Sequence, residues 1–262
     1  MRPALMADTS RNIFQTPHVW AFTTYFAEGF PYTIIRTVSS VFFRDMKVSL
    51  EAIGLTSLFG LPWVLKFLWG PLIDQFSTKR QWMLSMQFML ILVFCAVAFI
   101  VPLCRGVMII AILFFVGAFL AATHDMAIDG YYMEALDKEG QSRFVGYRVM
   151  AYRISMMAGT GVIVTIGTMT SWRTGFFFAA LLLIILFVYH LFLLPRVETR
   201  KNPIRRLFQS GSILKSVTWC ILLCWVIIIF RWIFSLHGWE AFKGRVWFIE
   251  SISISGWVGI GM

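Results

Sequence analysis

The sequence predicts an all-α, polytopic membrane protein, and three observations predict it. Of 262 residues, 59% are hydrophobic and only 14% charged, a balance far from that of soluble domains. The apolar residues gather into runs close to the roughly 20 residues that cross a bilayer core. A few ionisable residues lie inside those runs. A charge at helix-centre depth costs about 2.5–3.5 kcal/mol, and such residues usually mark a solute or ion pathway.

In chain order the apolar runs cover residues 18–43, 50–73, 83–103, 107–130, 146–170, 174–194 and 213–235. The first reads as a span rather than a cleavable leader, because it is long, holds Glu28 and Arg36, and lacks a small-residue cleavage site. This divides the chain into an N-terminal tail (1–17), a six-helix lobe (18–195), a basic linker (196–212), a seventh helix (213–235) and a tail (236–262). The net charge of +10 does not call for a nucleic-acid partner, since the basic residues fall between apolar runs. Arg2, Arg11, Lys79, Arg80, Lys138, Arg143, Arg196, Arg200, Lys201, Arg205, Arg206 and Lys215 fall on one side. Arg44, Lys47, Arg105 and Arg173 fall on the other. The positive-inside rule then puts the N-terminus and the linker in the cytoplasm.

The helices differ in charge. Spans one, two, four and five carry ionisable residues within the apolar run, whereas three and six carry none but His190 near an end. A three-plus-three repeat gives this pattern if the third helix of each triplet faces lipid and the others line a cavity, as in many secondary transporters. Chance distribution of charges is the plainer alternative.

Glu28 lies about 15 Å into the first span, near the midplane. Pro31 follows it and interrupts the helical ladder, as in helices that line transporter sites; an ion pair with Arg36 is the structural alternative. Lys66 sits some 12 Å from Asp74 along the second span, too deep for snorkelling alone, so a cavity or a carboxylate partner is expected. Asp125 and Asp129, four residues apart, share a helix face. Arg148, Tyr152 and Arg153 enter the next span from the same side and are placed to pair with them. The functional reading is a proton-coupling carboxylate beside an anion-binding arginine; the structural reading is a brace of salt bridges. The solute and proton pathway is therefore assigned to Glu28, Arg36, Lys66, His124, Asp125, Asp129, Arg148 and Arg153.

No cofactor or metal site is expected. Cys220 and Cys224 share a helix face but have no His or carboxylate at ligand spacing, and Cys95 and Cys104 read as packing residues.

The connection GPLIDQFSTKR, residues 70–80, resembles the loop motif of the major facilitator superfamily, G-x-L-x-D-x-x-G-R-[RK]-[RK]. Gly70, Leu72, Asp74, Lys79 and Arg80 match it. Ser77 and Thr78 stand where the pattern has Gly and Arg. The strings EGFPYTI (28–34), GLPWVLKFLWGPLID (60–74), ATHDMAIDGYYMEAL (122–136) and FVGYRVMAYRISMMAGTG (144–161) resemble the AmpG-type muropeptide permeases, a branch related to acetyl-CoA transporters. His124 stands where those permeases typically have Gln. The resemblance covers roughly residues 18–195. It implies a multi-pass transporter of the bacterial inner membrane that imports cell-wall fragments with protons, with Gly70, Asp74, Lys79 and Arg80 acting in gating. It also implies a second lobe, so the chain reads as a truncated copy or as a half completed by self-association. A non-transporting membrane remnant is the alternative.

Enzyme readings are weaker. His124 and Asp129 form the H-x4-D spacing of glycerolipid acyltransferases, in which His is a base for an alcohol, but the other blocks such enzymes need are missing. The run D-x-x-x-D-G departs from the D-x-x-D-G that opens the CDP-alcohol phosphotransferase motif. The expected partners are a small solute, protons and the lipid bilayer.

Overall fold

The computed structural model describes residues 13–103 and 106–197, which fall within one compact unit. The greater part of the N-terminal tail, Cys104, Arg105, most of the linker, the seventh helix, the C-terminal tail, Cys220 and Cys224 lie outside the described residues. Within them the regular elements are all helical.

Helix α1 begins at Pro17, whose missing N–H costs nothing in a first turn, and runs regularly over Pro17–Thr33. Pro31 then removes a donor from the ladder. The path continues through a π-helical turn, Ile34–Val38, into Ser39–Asp45. Helix α2, Leu50–Leu68, alternates α and 3-10 stretches. Gly54, Gly60 and Pro62 weaken its regular ladder, with 3-10 segments at Leu55–Gly60 and Lys66–Leu68. A short helix, Gly70–Gln75, follows.

Helix α3, Lys79–Ile100, opens on a reciprocal capping box between Thr78 and Gln81. Helix α4 is Gly106–Ala135, about 45 Å at 1.5 Å per residue, longer than a bilayer core. Helix α5 spans Lys138–Met169 with a π-helical turn at Ala158–Ile163. Helix α6 is Trp172–Phe192, capped by Ser171. By length and composition, α2 to α6 can each cross a membrane.

The second to sixth expected runs correspond to α2 to α6 with shifted ends. The first is helical over residues 17–45 with a π-turn inside it, and the largest shift is at the start of α5. Residue 146 was expected to open α5, but the helix starts at Lys138, where the Asp137 carboxylate accepts from Gly140 N at 2.8 Å. Hydropathy marks the apolar depth of a helix; the cap marks its end.

Small residues let α1 and α5 cross at close range. A Cβ on Gly29 of α1 would lie 3.1 Å from the Tyr152 carbonyl of α5, and one on Gly159 of α5 would lie 2.8 Å from Thr33 Cγ2 of α1. Gly29 and Thr33, and Ser155 and Gly159, are each four apart, the small-xxx-small spacing that lets membrane helices approach closely. Around this crossing a core of Phe30, Phe42, Phe94, Phe114 and Phe176 is fully buried. A second apolar cluster joins Trp20, Tyr25, Tyr131 and Tyr132.

The third helix of each triplet, α3 or α6, contributes to the core of the lobe, with Leu90 and Phe94 from one and Phe176 and Leu183 from the other. Of the apolar window in α3, 44% is buried, the largest share among the candidate spans, against 11% in α2. α3 packs against both α4 and α6, and only its outer residues, such as Phe88, Leu92 and Phe99, are exposed.

Candidate functional site

The charged side chains converge where α1, α2, α4 and α5 meet. Asp125 and Asp129, one turn apart on α4, project toward different partners. Lys66 of α2 reaches Asp125 Oδ2 at 2.8 Å. Arg148 of α5 reaches Asp129 Oδ1 at 3.2 Å, and the Tyr25 hydroxyl of α1 donates to the same oxygen at 2.8 Å. The Arg148 guanidinium also lies over the rings of Tyr25, 4.5 Å from the centroid, and Tyr132, at 5.1 Å. Stacking and ion pairing together fix its plane.

Glu28 stands one turn from Tyr25 on α1 and has no hydrogen-bond partner for Oε2, which is sealed from solvent. It is the inner carboxyl without a cation in contact. It borders a cavity of about 380 Å³ lined by Tyr25, Glu28, Tyr32, Arg148, Val149, Tyr152, Arg153 and Met156. Arg153 is exposed at the rim, with no ion-pair partner among the described residues. Tyr32 packs edge-on against Trp63 of α2 at 5.0 Å, closing one wall. The inner groups thus comprise three carboxyls and two paired cations, with a third cation at the mouth.

Of the assigned residues Glu28, Arg148 and Arg153 line this cavity, Lys66, Asp125 and Asp129 join it through ion pairs or neighbouring contacts, and Arg36 and His124 stand outside the cluster. Arg36 does not pair with Glu28. About 12 Å of helix rise separates them, and Arg36 instead donates to the Ser57 carbonyl at 3.0 Å, lying over Gly60. It braces the π-turn of α1 against the 3-10 stretch of α2. His124 is fully buried and is not among the cavity-lining residues.

The loop-motif residues gather at one end of α4. Asp74 pairs with Lys79, whose buried methylenes pass over Gly130, the residue after Asp129. A Cβ at Gly130 would meet Lys79 Cε at 2.7 Å, so a larger residue there would push the lysine side chain off this path. Gly70 packs near Met126 Sδ, and Arg80 donates to the last carbonyls of α6, those of His190 and Leu191, at 3.1 and 2.6 Å. Ser77 adopts φ 61°, the left-handed conformation that glycine takes without cost.

A larger and more open cleft, about 590 Å³, lies at the far end of α1 between Arg44, Lys47, Ser49 and Thr168. The Asp45 carboxylate there is engaged by Trp172 Nε1 at 2.6 Å. The buried charges are not in this cleft, so the smaller cavity is the candidate site. Among the described residues no three His, Cys, Asp or Glu side chains are placed to hold a metal.

The sequence reading missed Tyr25 and Tyr32 as wall residues. The signal was their spacing, three and four residues either side of Glu28, which puts both hydroxyls on its face of α1.

The sequence model of the Major Facilitator Superfamily matches residues 21–262. Among curated relatives, an uncharacterized protein of Haemophilus influenzae is 27% identical over 82% of this chain and 54% of its own length. The anhydromuropeptide permease of Escherichia coli K12 is 30% identical over 52% of this chain and 29% of its own. A Rickettsia prowazekii protein bearing the transporter name AmpG 3 is 30% identical over 52% and 34%. The chain spans about half the length, or less, of these relatives.

Proposed function

The chain belongs to the major facilitator superfamily, and from that premise we propose that it serves secondary active transport, importing a polar solute with protons. It is a multi-pass membrane protein; the bacterial inner membrane, with a cytoplasmic N-terminus, is the location this reading requires. Anhydromuropeptides are the proposed solute, by likeness to the Escherichia coli permease. Alternating access needs two lobes around a central site, so residues 18–195 act as one lobe opposite a second, supplied by further sequence or by another copy.

The observation that carries the proposal is the unpartnered, sealed Oε2 of Glu28 on a cavity rimmed by Arg148 and Arg153. With Asp125 held by Lys66 and Asp129 by Arg148, Glu28 is the carboxyl free to exchange a proton. Taking up one proton brings the inner cluster from one excess negative charge to neutrality, and a buried excess charge is costly. Arg153 is free to receive a carboxylate of the solute, and the Tyr25, Tyr32 and Tyr152 rings offer faces and hydroxyls to sugar rings. Asp125, engaged by Lys66, acts as the brace.

The test is uptake of labelled anhydromuropeptide into proteoliposomes containing the chain, driven by a proton gradient. The expected result is gradient-driven accumulation that Glu28→Gln abolishes, while solute exchange without a gradient persists, because Gln resembles the protonated acid. Accumulation by Glu28→Gln at the unsubstituted rate removes Glu28 from coupling. Absence of any uptake overturns completion of the transporter by another copy of this chain.

A further inference from the structure

Tyr25 of α1 holds both members of one ion pair at once. It is buried and forms part of the cavity wall beside Glu28 and Arg148. Its hydroxyl donates to Asp129 Oδ1 at 2.8 Å, the same oxygen that Arg148 Nη2 reaches at 3.2 Å. Its ring lies under the Arg148 guanidinium, 4.5 Å from the centroid. Tyr132 of α4, the second ring in contact with that guanidinium, packs edge-on against Tyr25 at 5.6 Å. The Tyr132 hydroxyl donates to the Gln141 carbonyl at 2.6 Å, in the first turn of α5. Both rings beside Arg148 are therefore fixed through their hydroxyls.

An arginine commonly meets a carboxylate through two parallel N–H···O bonds, because its planar fork matches both oxygens. Here a single bond joins Arg148 to Asp129. The Tyr25 hydroxyl occupies lone-pair space on Oδ1, and the ring below sets the plane of the guanidinium. We propose that Tyr25 is a positioning residue that keeps Arg148 singly bonded to Asp129, so that its remaining N–H groups face the cavity as a seat for a carboxylate of the solute. Arg148, a third exposed and lining that cavity, then binds the anion together with Arg153. The identity of the solute rests on the transport reading; the arrangement of the pair does not.

Two measurements on the full chain in liposomes test this. In the first, magic-angle-spinning NMR reads the distances from Asp129 Cγ to the two Nη atoms of Arg148 without solute, the signals being assigned with Arg148→Lys. The unsubstituted chain should show one short and one long distance. Tyr25→Phe keeps the ring, removes the hydroxyl and should make both short. Two short distances in the unsubstituted chain, or no change in Tyr25→Phe, overturn the positioning role whatever the solute. In the second, equilibrium binding compares an anhydromuropeptide with the same compound amidated at its carboxylates. Tyr25→Phe should weaken the free acid about tenfold, roughly the worth of one charge-assisted hydrogen bond, and leave the amide unchanged. Equal losses for acid and amide overturn the carboxylate seat. If the unsubstituted chain binds neither compound, anhydromuropeptide falls as the solute, and the distances alone decide the role of Tyr25.

Discussion

Away from their ends, where Lys79, Arg80 and Arg173 stand, α3 and α6 carry neutral, sealed polar groups, whereas the charged groups of α1, α2, α4 and α5 gather at or beside a cavity. In the first region, Gln87 and His190 are wholly buried and bonded to each other. In the second, the Lys66 and Arg148 side chains are about a third exposed, and Asp125 and Asp129 are 12% and 36% exposed. The difference follows from desolvation. A neutral amide–imidazole bond asks little of its surroundings, but an ion pair drawn fully from water recovers its cost only with excellent geometry. Charge on this lobe therefore marks where water or solute enters, and neutral polarity marks where helices are joined.

The largest test of this contrast breaks the deeper ion pair. Lys66→Met leaves Asp125 as a nearly buried carboxylate without a cation. Loss of one partner of a buried pair costs about 3–5 kcal/mol, and the partial exposure of Lys66 sets the expectation near about 3 kcal/mol. Lys66→Met with Asp125→Leu should recover most of that loss, because the uncompensated charge is gone. Steric-trap unfolding in bicelles measures both. If single and double variants lose the same amount, the pair is not what holds α2 to α4.

The neutral region should respond more gently. Gln87→Leu strands the Nδ1–H of His190, an unsatisfied buried donor worth about 1–3 kcal/mol. Adding His190→Phe should bring stability back toward the unsubstituted value, since both polar partners are then apolar. A Gln87→Leu loss equal to that of Lys66→Met would erase the distinction between the two regions.

The contrast itself was half legible. Spans appear in sequence because apolar runs of bilayer length have few other uses, and the charged positions stand out against them. That Asp125 and Asp129 share a face, and that Arg148 enters at their depth, follows from helix periodicity. Which acid meets which base does not. Lys66 is 59 residues from Asp125, and their meeting depends on the irregular path of α2. The brace from Arg36 to Ser57 was hidden for the same reason, since the π-turn in α1 and the 3-10 turn in α2 shift both faces. Gln87 escaped notice because one amide in an apolar run gives no signal until its partner on α6 is known.

The smallest test lies in the connection that joins the two regions, between α2 and α3. Ser77 holds φ 61°, and its hydroxyl bonds Gln81, the residue that completes the capping box of α3. A left-handed conformation costs an L-residue roughly 1–2 kcal/mol, partly offset here by that side-chain bond. Ser77→Gly removes the strain but also the bond, and it loosens the unfolded chain. The net expectation is a gain of about 0.5 kcal/mol, with the Asp74–Lys79 pair undisturbed because Thr78 and Gln81 still cap the helix. Thermal unfolding in detergent gives the sign. A clear loss would mean that the Ser77–Gln81 bond outweighs the backbone strain, and that side-chain bonding rather than backbone freedom holds this loop against Gly130.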